Sequence, residues 1–500
     1  MTTQTGSGDH DGPEFDSNDH RPTHDSLRNA SCTSHPMTDS SIPETSEPTD
    51  RTIVLDVVGL QPQHIDADRT PTLESFFTSD SVRSLRPPFP AVTVPAQTTL
   101  ATGQRPDTHG DVSSGEFDRE RQTAEFWERD RDGRERIWET GTDDAGLTTG
   151  VLNFQHLIGT SADVAVTPSP IEDENNDILE MNCWTNPDGF YDDLREVLNH
   201  FPLHNYWGPG ANEDGSRWIL AAAHEAIEQF DPDLLWVYVP HLDYVGQSNG
   251  PGSDAFRTEL SVVDDLLEEF LAPLTETDRW DETALVLVSE YGFHDVDRPV
   301  FPNRALREAG LLETDADGDA DIVGSDAFAM VDHQIAHVYA DERSVEAARD
   351  VLESLEGIDA VLDESGKADR GIDHPNAGEI VLVANRDAWF QYYWWDDREN
   401  APPYASKMDI HAKPGFDPCE LFFGDEGLVS LDASKVSGSH GRVDESAFGI
   451  FGLGGPAAPE LEGDEPVDAT DVTPTILDLH GLKGTLSMKL EGSSFTRSGE

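Results

Sequence analysis

Lysine is almost missing from this chain of 500 residues. Only six occur, and none precedes Lys367. Lys and Arg together number 33 against 99 Asp and Glu, a formal charge of −66. That balance excludes binding to nucleic-acid duplexes as a bulk property, because phosphates are repelled. It also disfavours docking on an anionic membrane surface. Cysteine is scarce too. Cys32, Cys183 and Cys419 are far apart, odd in number and without CxxC spacing, which excludes a disulfide framework and a thiolate zinc site. No run approaches the ~18 apolar residues of a membrane helix. The opening residues, Met1 to Gly6, lack the basic and apolar parts of a secretory signal. These absences together lead us to expect a soluble, cytoplasmic protein.

What is abundant is acid, spread along the whole chain, as in Asp264-Asp265-Leu266-Leu267-Glu268-Glu269. Self-repulsion on this scale destabilises a compact state in dilute salt, and concentrated salt screens it, with a Debye length of about 3 Å at 1 M. The composition therefore points to the cytoplasm of a salt-accumulating halophile. Hydrophobic residues make up 36%, enough for a sizeable core, and the length allows two to four domains or one large domain with an insertion. Residues 1–49, rich in Ser, Thr, Asp, His and Pro without apolar periodicity, read as a disordered acidic tail.

Order is expected from Arg51-Thr52-Ile53-Val54-Leu55-Asp56, a continuous apolar run typical of a strand buried on both faces. Leu234 to Pro240 and Ala284 to Glu290 repeat the type, each after a helical pattern, Ser216 to Phe230 and Asp254 to Leu271. Alternating buried strands and helices predict an α/β fold, a mostly parallel sheet sandwiched by helices. From 299 to 433 the texture changes to that of a smaller α+β cap insertion. Strands are expected there around Asp332 to Tyr339, Glu379 to Ala384 and Trp389 to Trp395. The core is thus divided into 50–298 and 434–500, closed by a helix beginning near Asp471.

In such sheets ligands bind beyond the carboxyl ends of the strands. Asp56, Asp243 and Glu290 all fall at or just past such ends, and His440 lies between Ser439 and Gly441. Thr93 lies in a segment rich in Pro and Thr, Phe89 to Gly103. A hydroxyl at a helix start favours an anion and can be activated for attack, but an N-capping Thr gives the same pattern. Carboxylates, an imidazole and a hydroxyl at strand ends are what a two-metal hydrolytic centre requires: the former hold the cations, which lower the nucleophile's pKa and clamp the attacking and leaving oxygens.

The order of these pieces resembles the alkaline phosphatase superfamily, in its nucleotide pyrophosphatase/phosphodiesterase-like branch. The matching segments are Val54–Asp56, Phe89-Pro90 with Thr93 and Pro95, His109-Gly110, Pro240 with Asp243, Glu290 with Gly292, Ser439-His440-Gly441, and Asp471 with Pro474-Thr475. The resemblance implies a hydrolase of phosphate esters with Thr93 as nucleophile and a small-molecule ester or nucleotide as substrate. It implies two divalent metals (Zn, Mn or Mg), one held by Asp56, Thr93 and the pair Glu290-Tyr291, the other by Asp243, Gln247 and His440. The sequence departs from the pattern at four positions. Gln247 stands for a His, Glu290-Tyr291 for Asp-His, and Ser114 for an Asn near the phosphate. At 247 and 291 an amide oxygen and a phenol thus stand for two imidazoles, and this shift from nitrogen towards oxygen favours Mn²⁺ or Mg²⁺ over Zn²⁺.

His333 and His337, four apart, share a face if they lie in one strand, and are expected to pack in the cap or to replace the missing imidazoles. His241 and His294 lie near proposed ligands. The aromatic run from Trp389 either stacks a base or packs on the core. Phosphomonoester or phosphonate hydrolysis and non-catalytic metal or phosphate binding are the alternatives. A sulfatase is disfavoured, since Thr93, Pro95 and Gln97 do not form its signature.

Overall fold

A computed structural model describes residues 48–126, 135–173, 178–316, 318–482, 484–485 and 487–496. The tail expected over 1–49 lies outside the described residues except for Pro48 and Thr49. Thr49 is already buried, and its Oγ1 donates to the carbonyls of Arg51 and Glu282.

The apolar runs become strands because each can be covered on both faces. In chain order they are β1 (Arg51–Val57), β2 (Val82–Arg86), β3 (Thr149–Leu152), β4 (Val164–Pro168), β5 (Cys183–Asn186), β6 (Leu234–Val239) and β7 (Thr283–Val288). After them come β8 (Ala327–Asp332), β9 (Ile335–Ala340), β10 (Ile358–Leu362), β11 (Ile380–Ala384), β12 (Gly449–Gly454) and β13 (Val467–Asp468). The helices that matter here are α1 (Thr93–Thr102), α2 (Glu213–Phe230), α3 (His241–Asn249), α4 (Asp254–Leu274) and α5 (Val472–Leu479).

Nine strands form one sheet in the order β13-β2-β12-β7-β1-β6-β3-β4-β5. Its centre is parallel: β1 runs between β6 and β7, with Asp56 level with Tyr238 and Val288. The antiparallel pairs involve β12 and the edge strand β5. This is the expected α/β sheet with flanking helices. α2 packs on β6 and against α4. On α4, Asp265, Glu268 and Glu269 are exposed while Leu266, Leu267 and Phe270 are buried. Asp264 is the exception to the acidic exterior: it is buried and accepts the backbone N–H groups of Thr72 and Leu73 at 2.9 and 2.8 Å.

The segment 299–433 carries its own antiparallel sheet, β8-β9-β11-β10. Two expectations there are corrected. His333 and His337 do not share a strand: β8 and β9 form a hairpin, and His333 sits in the turn with φ +59°. Trp389 to Trp395 is not one strand either. Only Ala388–Phe390 pairs, and the rest is irregular but buried, because its aromatic rings fill the cap's core against one another.

Candidate active site

Three neighbouring parallel strands deliver the acids to one edge of the sheet. Asp56 is in the last turn of pleat of β1, Asp243 is in the first turn of α3 after β6, and Glu290 follows β7 by two residues. All three are buried, Asp56 at 0% and Glu290 at 1% exposure. Neither oxygen of Asp56 or Glu290 has a hydrogen-bond partner, nor has Oδ1 of Asp243. Burial pushes the carboxyl pKa of Asp56 and Glu290 well above the ordinary range, and the charge of Asp56 adds to the rise at Glu290. Burial likewise raises Asp243 to about 7, against a hydrogen bond from Gln247 that lowers it.

Thr93 is the first residue of α1. Val92 holds the cap position and no side chain caps the helix, so the Thr93 hydroxyl is not engaged as a capping group. It lies 2.9 Å from the Tyr291 hydroxyl instead. Burial raises the Tyr291 pKa well above its ordinary value, so the phenol stays protonated and can donate to Thr93 Oγ1. The segment before α1 is tied to the His440 loop: Ala91 N–H donates to Gly441 O at 3.0 Å, and His440 Nδ1 pairs with Ala91 O at 2.9 Å. That bond places the proton on Nδ1 and leaves a lone pair on Nε2, which is buried without a partner. Burial holds the His440 pKa well below its usual value, so the ring is neutral. Tyr291 stacks on the His440 ring at 3.8 Å and 11°. From below, Thr473 of α5 anchors α1 through Leu100 O at 2.6 Å.

The structure therefore brings Asp56, Thr93, Asp243, Gln247, Glu290, Tyr291 and His440 to one place. His440 Nε2 is 3.7 Å from Asp243 Oδ1. Gln247 Nε2 donates to Asp243 Oδ2 at 2.7 Å, leaving its carbonyl oxygen unpartnered. Ser114 is one step removed. Its N–H donates to Asp332 Oδ2 at 2.8 Å and its own hydroxyl is buried and unpartnered. His241 pairs with Glu259, and His294 with Gln334 and Asp444.

No three His, Cys, Asp or Glu side chains among the described residues are close enough to form a ready metal cage. The donor chemistry nevertheless fits a cation. Buried carboxylates without hydrogen-bond donors, an amide oxygen and an imidazole Nε2 all point lone pairs inward, and no Lys or Arg among the described residues pairs with Asp56, Asp243 or Glu290.

Above these groups opens a cavity of about 1060 Å³. Thr93, Asp243 and Gln247 line it, together with the aromatic residues Tyr206, Trp207, Tyr244 and Phe416. None of these aromatic residues stood out in the sequence. Trp207 and Phe416 are more than 200 positions apart and meet at 5.7 Å only in the fold. His333 also lines the cavity.

A profile of the family described as type I phosphodiesterase / nucleotide pyrophosphatase matches residues 52–417. The chain is 26% identical over 299 residues to ectonucleotide pyrophosphatase/phosphodiesterase 1 of Saccharomyces cerevisiae, a match covering 52% of this chain and 36% of that protein. It is 24% identical over 265 residues to an uncharacterized pyrophosphatase/phosphodiesterase of Schizosaccharomyces pombe, covering 51% and 46%. The match thus spans less than half the length of either relative. Among solved structures the fold is similar to murine ectonucleotide pyrophosphatase / phosphodiesterase 5, an inactive variant in complex with AMP. That likeness has a TM-score of 0.56 and 16% identity, and covers 89% of this chain and 98% of that one. Phosphonoacetate hydrolase from Sinorhizobium meliloti, in complex with phosphonoformate, gives a TM-score of 0.56 at 17% identity, covering 87% and 96%.

Proposed function

The chain belongs to the type I phosphodiesterase / nucleotide pyrophosphatase family, and from that premise we propose that it is a metal-dependent hydrolase of phosphodiesters or nucleotide pyrophosphates. The observation that carries this reading is the Thr93 hydroxyl at the start of α1, 2.9 Å from Tyr291 and beside buried, unneutralised carboxylates. Asp56, Glu290 and Thr93 would hold one divalent cation, and Asp243, Gln247 and His440 the other. Bound cations would neutralise the acids, polarise the phosphoryl oxygens and lower the pKa of the attacking group.

The chain's own groups do the rest. The Tyr291 hydroxyl shares a hydrogen bond with Thr93 Oγ1 and holds it at the helix N-terminus, where the dipole favours the anionic phosphoryl group. Thr93 Oγ1 gives up its proton and attacks phosphorus, the bond to the leaving oxygen breaks and that oxygen takes up a proton, and a phosphothreonine ester forms. Water then cleaves that ester and restores the hydroxyl. The aromatic walls suit a ligand with a flat base, because Tyr206, Trp207 and Tyr244 offer ring faces and edges within one cavity. The oxygen-rich donor set supports Mn²⁺ or Mg²⁺ over Zn²⁺. The charge of −66 supports work in concentrated salt, inside a halophile's cytoplasm.

Hydrolysis of p-nitrophenyl diesters and monoesters in molar KCl with Mn²⁺, Mg²⁺ or Zn²⁺, beside Thr93→Ala, tests the reading. Metal-dependent diester turnover lost in Thr93→Ala is expected. No turnover with any metal would favour a binding protein, and preferred monoester turnover would favour a phosphomonoesterase.

A further inference from the structure

The hairpin turn of the cap reaches down into the core site, and its tip is His333. We propose that His333 is a cation ligand contributed by the cap, drawn together with Asp243 and His440 when the cation binds, although the three do not stand as a ready cage without it, and supplying the imidazole that position 247 lacks. The proposal rests on the divalent-cation reading of the site and adds to it a ligand from another part of the fold.

Four observations carry it. First, the tautomer is fixed. His333 Nδ1 pairs with Asp332 Oδ1 at 2.8 Å, and Asp332 is itself held by Ser113 Oγ at 3.0 Å and Ser114 N at 2.8 Å. A carboxylate that accepts these donors keeps the proton on Nδ1, so Nε2 carries the lone pair. This carboxylate–histidine arrangement is what metal-ligating imidazoles use for orientation. Second, that Nε2 is buried and has no partner, while His333 lines the same cavity as Thr93, Asp243 and Gln247. An unpartnered buried nitrogen costs free energy unless something binds it. Third, the His333 and His440 rings lie 3.7 Å apart, and both hold Nδ1 in a hydrogen bond and leave Nε2 bare.

Fourth, the backbone is built to hold the turn there. Gln334 N–H donates to His440 O at 2.9 Å, and Phe390 N–H to His333 O at 2.8 Å. Gly441 allows the approach: its φ is +122°, and a Cβ there would stand 3.2 Å from Gln334 N. His337, four residues on, shows the contrast. Both its nitrogens are used, Nε2 on Val112 O at 3.0 Å and Nδ1 by Gly378 N–H at 3.2 Å, so it has nothing left to offer a ligand.

The test is Co²⁺ binding by the full chain, stripped of metal in molar KCl, read as equivalents bound and as visible absorption. Wild type is expected to bind two equivalents. His333→Asn keeps a residue that tolerates positive φ but is too short to reach the site. It should lose one equivalent and the corresponding absorption, and adding Gln247→His should restore them. Asp332→Asn should weaken the same equivalent by roughly 10–100-fold, which provides a second test if the metal-free unfolding transition shows that His333→Asn does not fold. Unchanged Co²⁺ affinity and spectrum in a folded His333→Asn, or in Asp332→Asn, would overturn the proposal while leaving the two-cation reading intact. Wild type that binds no Co²⁺ would overturn both.

Discussion

Buried charge is treated in opposite ways in the core and in the cap. In the cap, Lys413 donates to Asp417 at 2.9 Å and to Glu420 at 2.6 Å, with Gln391 and Trp207 completing the acceptors. Burial alone would lower the Lys413 pKa, but the two carboxylates outweigh it and raise it. Every charge there has a partner, and the cluster needs no ligand. At the carboxyl edge of the core sheet, Asp56, Asp243 and Glu290 are as deeply buried, yet Asp56 and Glu290 find no donor and Asp243 only the Gln247 amide. Satisfied buried charge marks structure, and unsatisfied buried charge marks a place where something else must bind.

Substitutions should separate the two regions. Thr93→Ala is expected to cost about 10⁴-fold or more in kcat/KM, as removal of a nucleophile does, with unfolding close to wild type and only the cation that Thr93 helps to hold bound more weakly. Steady-state kinetics beside a thermal melt checks it. Lys413→Met should do the reverse. It leaves two buried carboxylates unpaired and should cost about 3–5 kcal/mol of stability, measured by denaturant unfolding, while the number of cations bound stays the same. If Lys413→Met proved harmless, the contrast between the regions would collapse.

Asp243→Asn should stabilise the metal-free protein. The folded carboxyl holds its proton up to about 7, well above its ordinary value, so between about pH 4 and pH 7 the folded state binds a proton that the unfolded chain has lost. Wild type then loses stability relative to Asp243→Asn as pH rises through that window, on the order of 4 kcal/mol in total. Parallel melts at pH 4 and pH 8 read the difference. Cation binding must displace the same proton, so apparent affinity should fall up to about tenfold per unit below pH 7. The smallest effects per group belong to neither region but to the surface. Exposed charges contribute about 0.2–1 kcal/mol each, and only their number makes salt matter. Melting temperature should rise steadily with KCl, and a full-strength fold in very dilute salt would refute the halophile reading.

Much of the core was legible because its signals are local. Val54-Leu55-Asp56 and Leu285 to Val288 are apolar runs that leave few alternatives to buried strands, and the acid that ends each run is visible without coordinates. The cap was read less well. His333 and His337 share a periodicity that suits one strand, and nothing within eight residues announces a tight turn at Asp332-His333-Gln334. The turn forms because β8 and β9 bury their apolar faces against each other and against the aromatic core, and His333 accepts a positive φ there. Tyr291 was placed among metal ligands from its position in the chain, and only the fold shows its hydroxyl meeting Thr93 and its ring meeting His440.

By itself the sequence determined the order of elements, the parallel centre of the sheet and the acids at its strand ends, because backbone pairing and apolar periodicity act over a few residues. Only the tertiary structure decided that the tip of a cap hairpin, from 240 residues further along the chain than Thr93, lies against His440 in the cavity that Thr93 and Asp243 line. That juxtaposition depends on packing between two separately built cores, and packing at such separation leaves no periodic trace in a sequence.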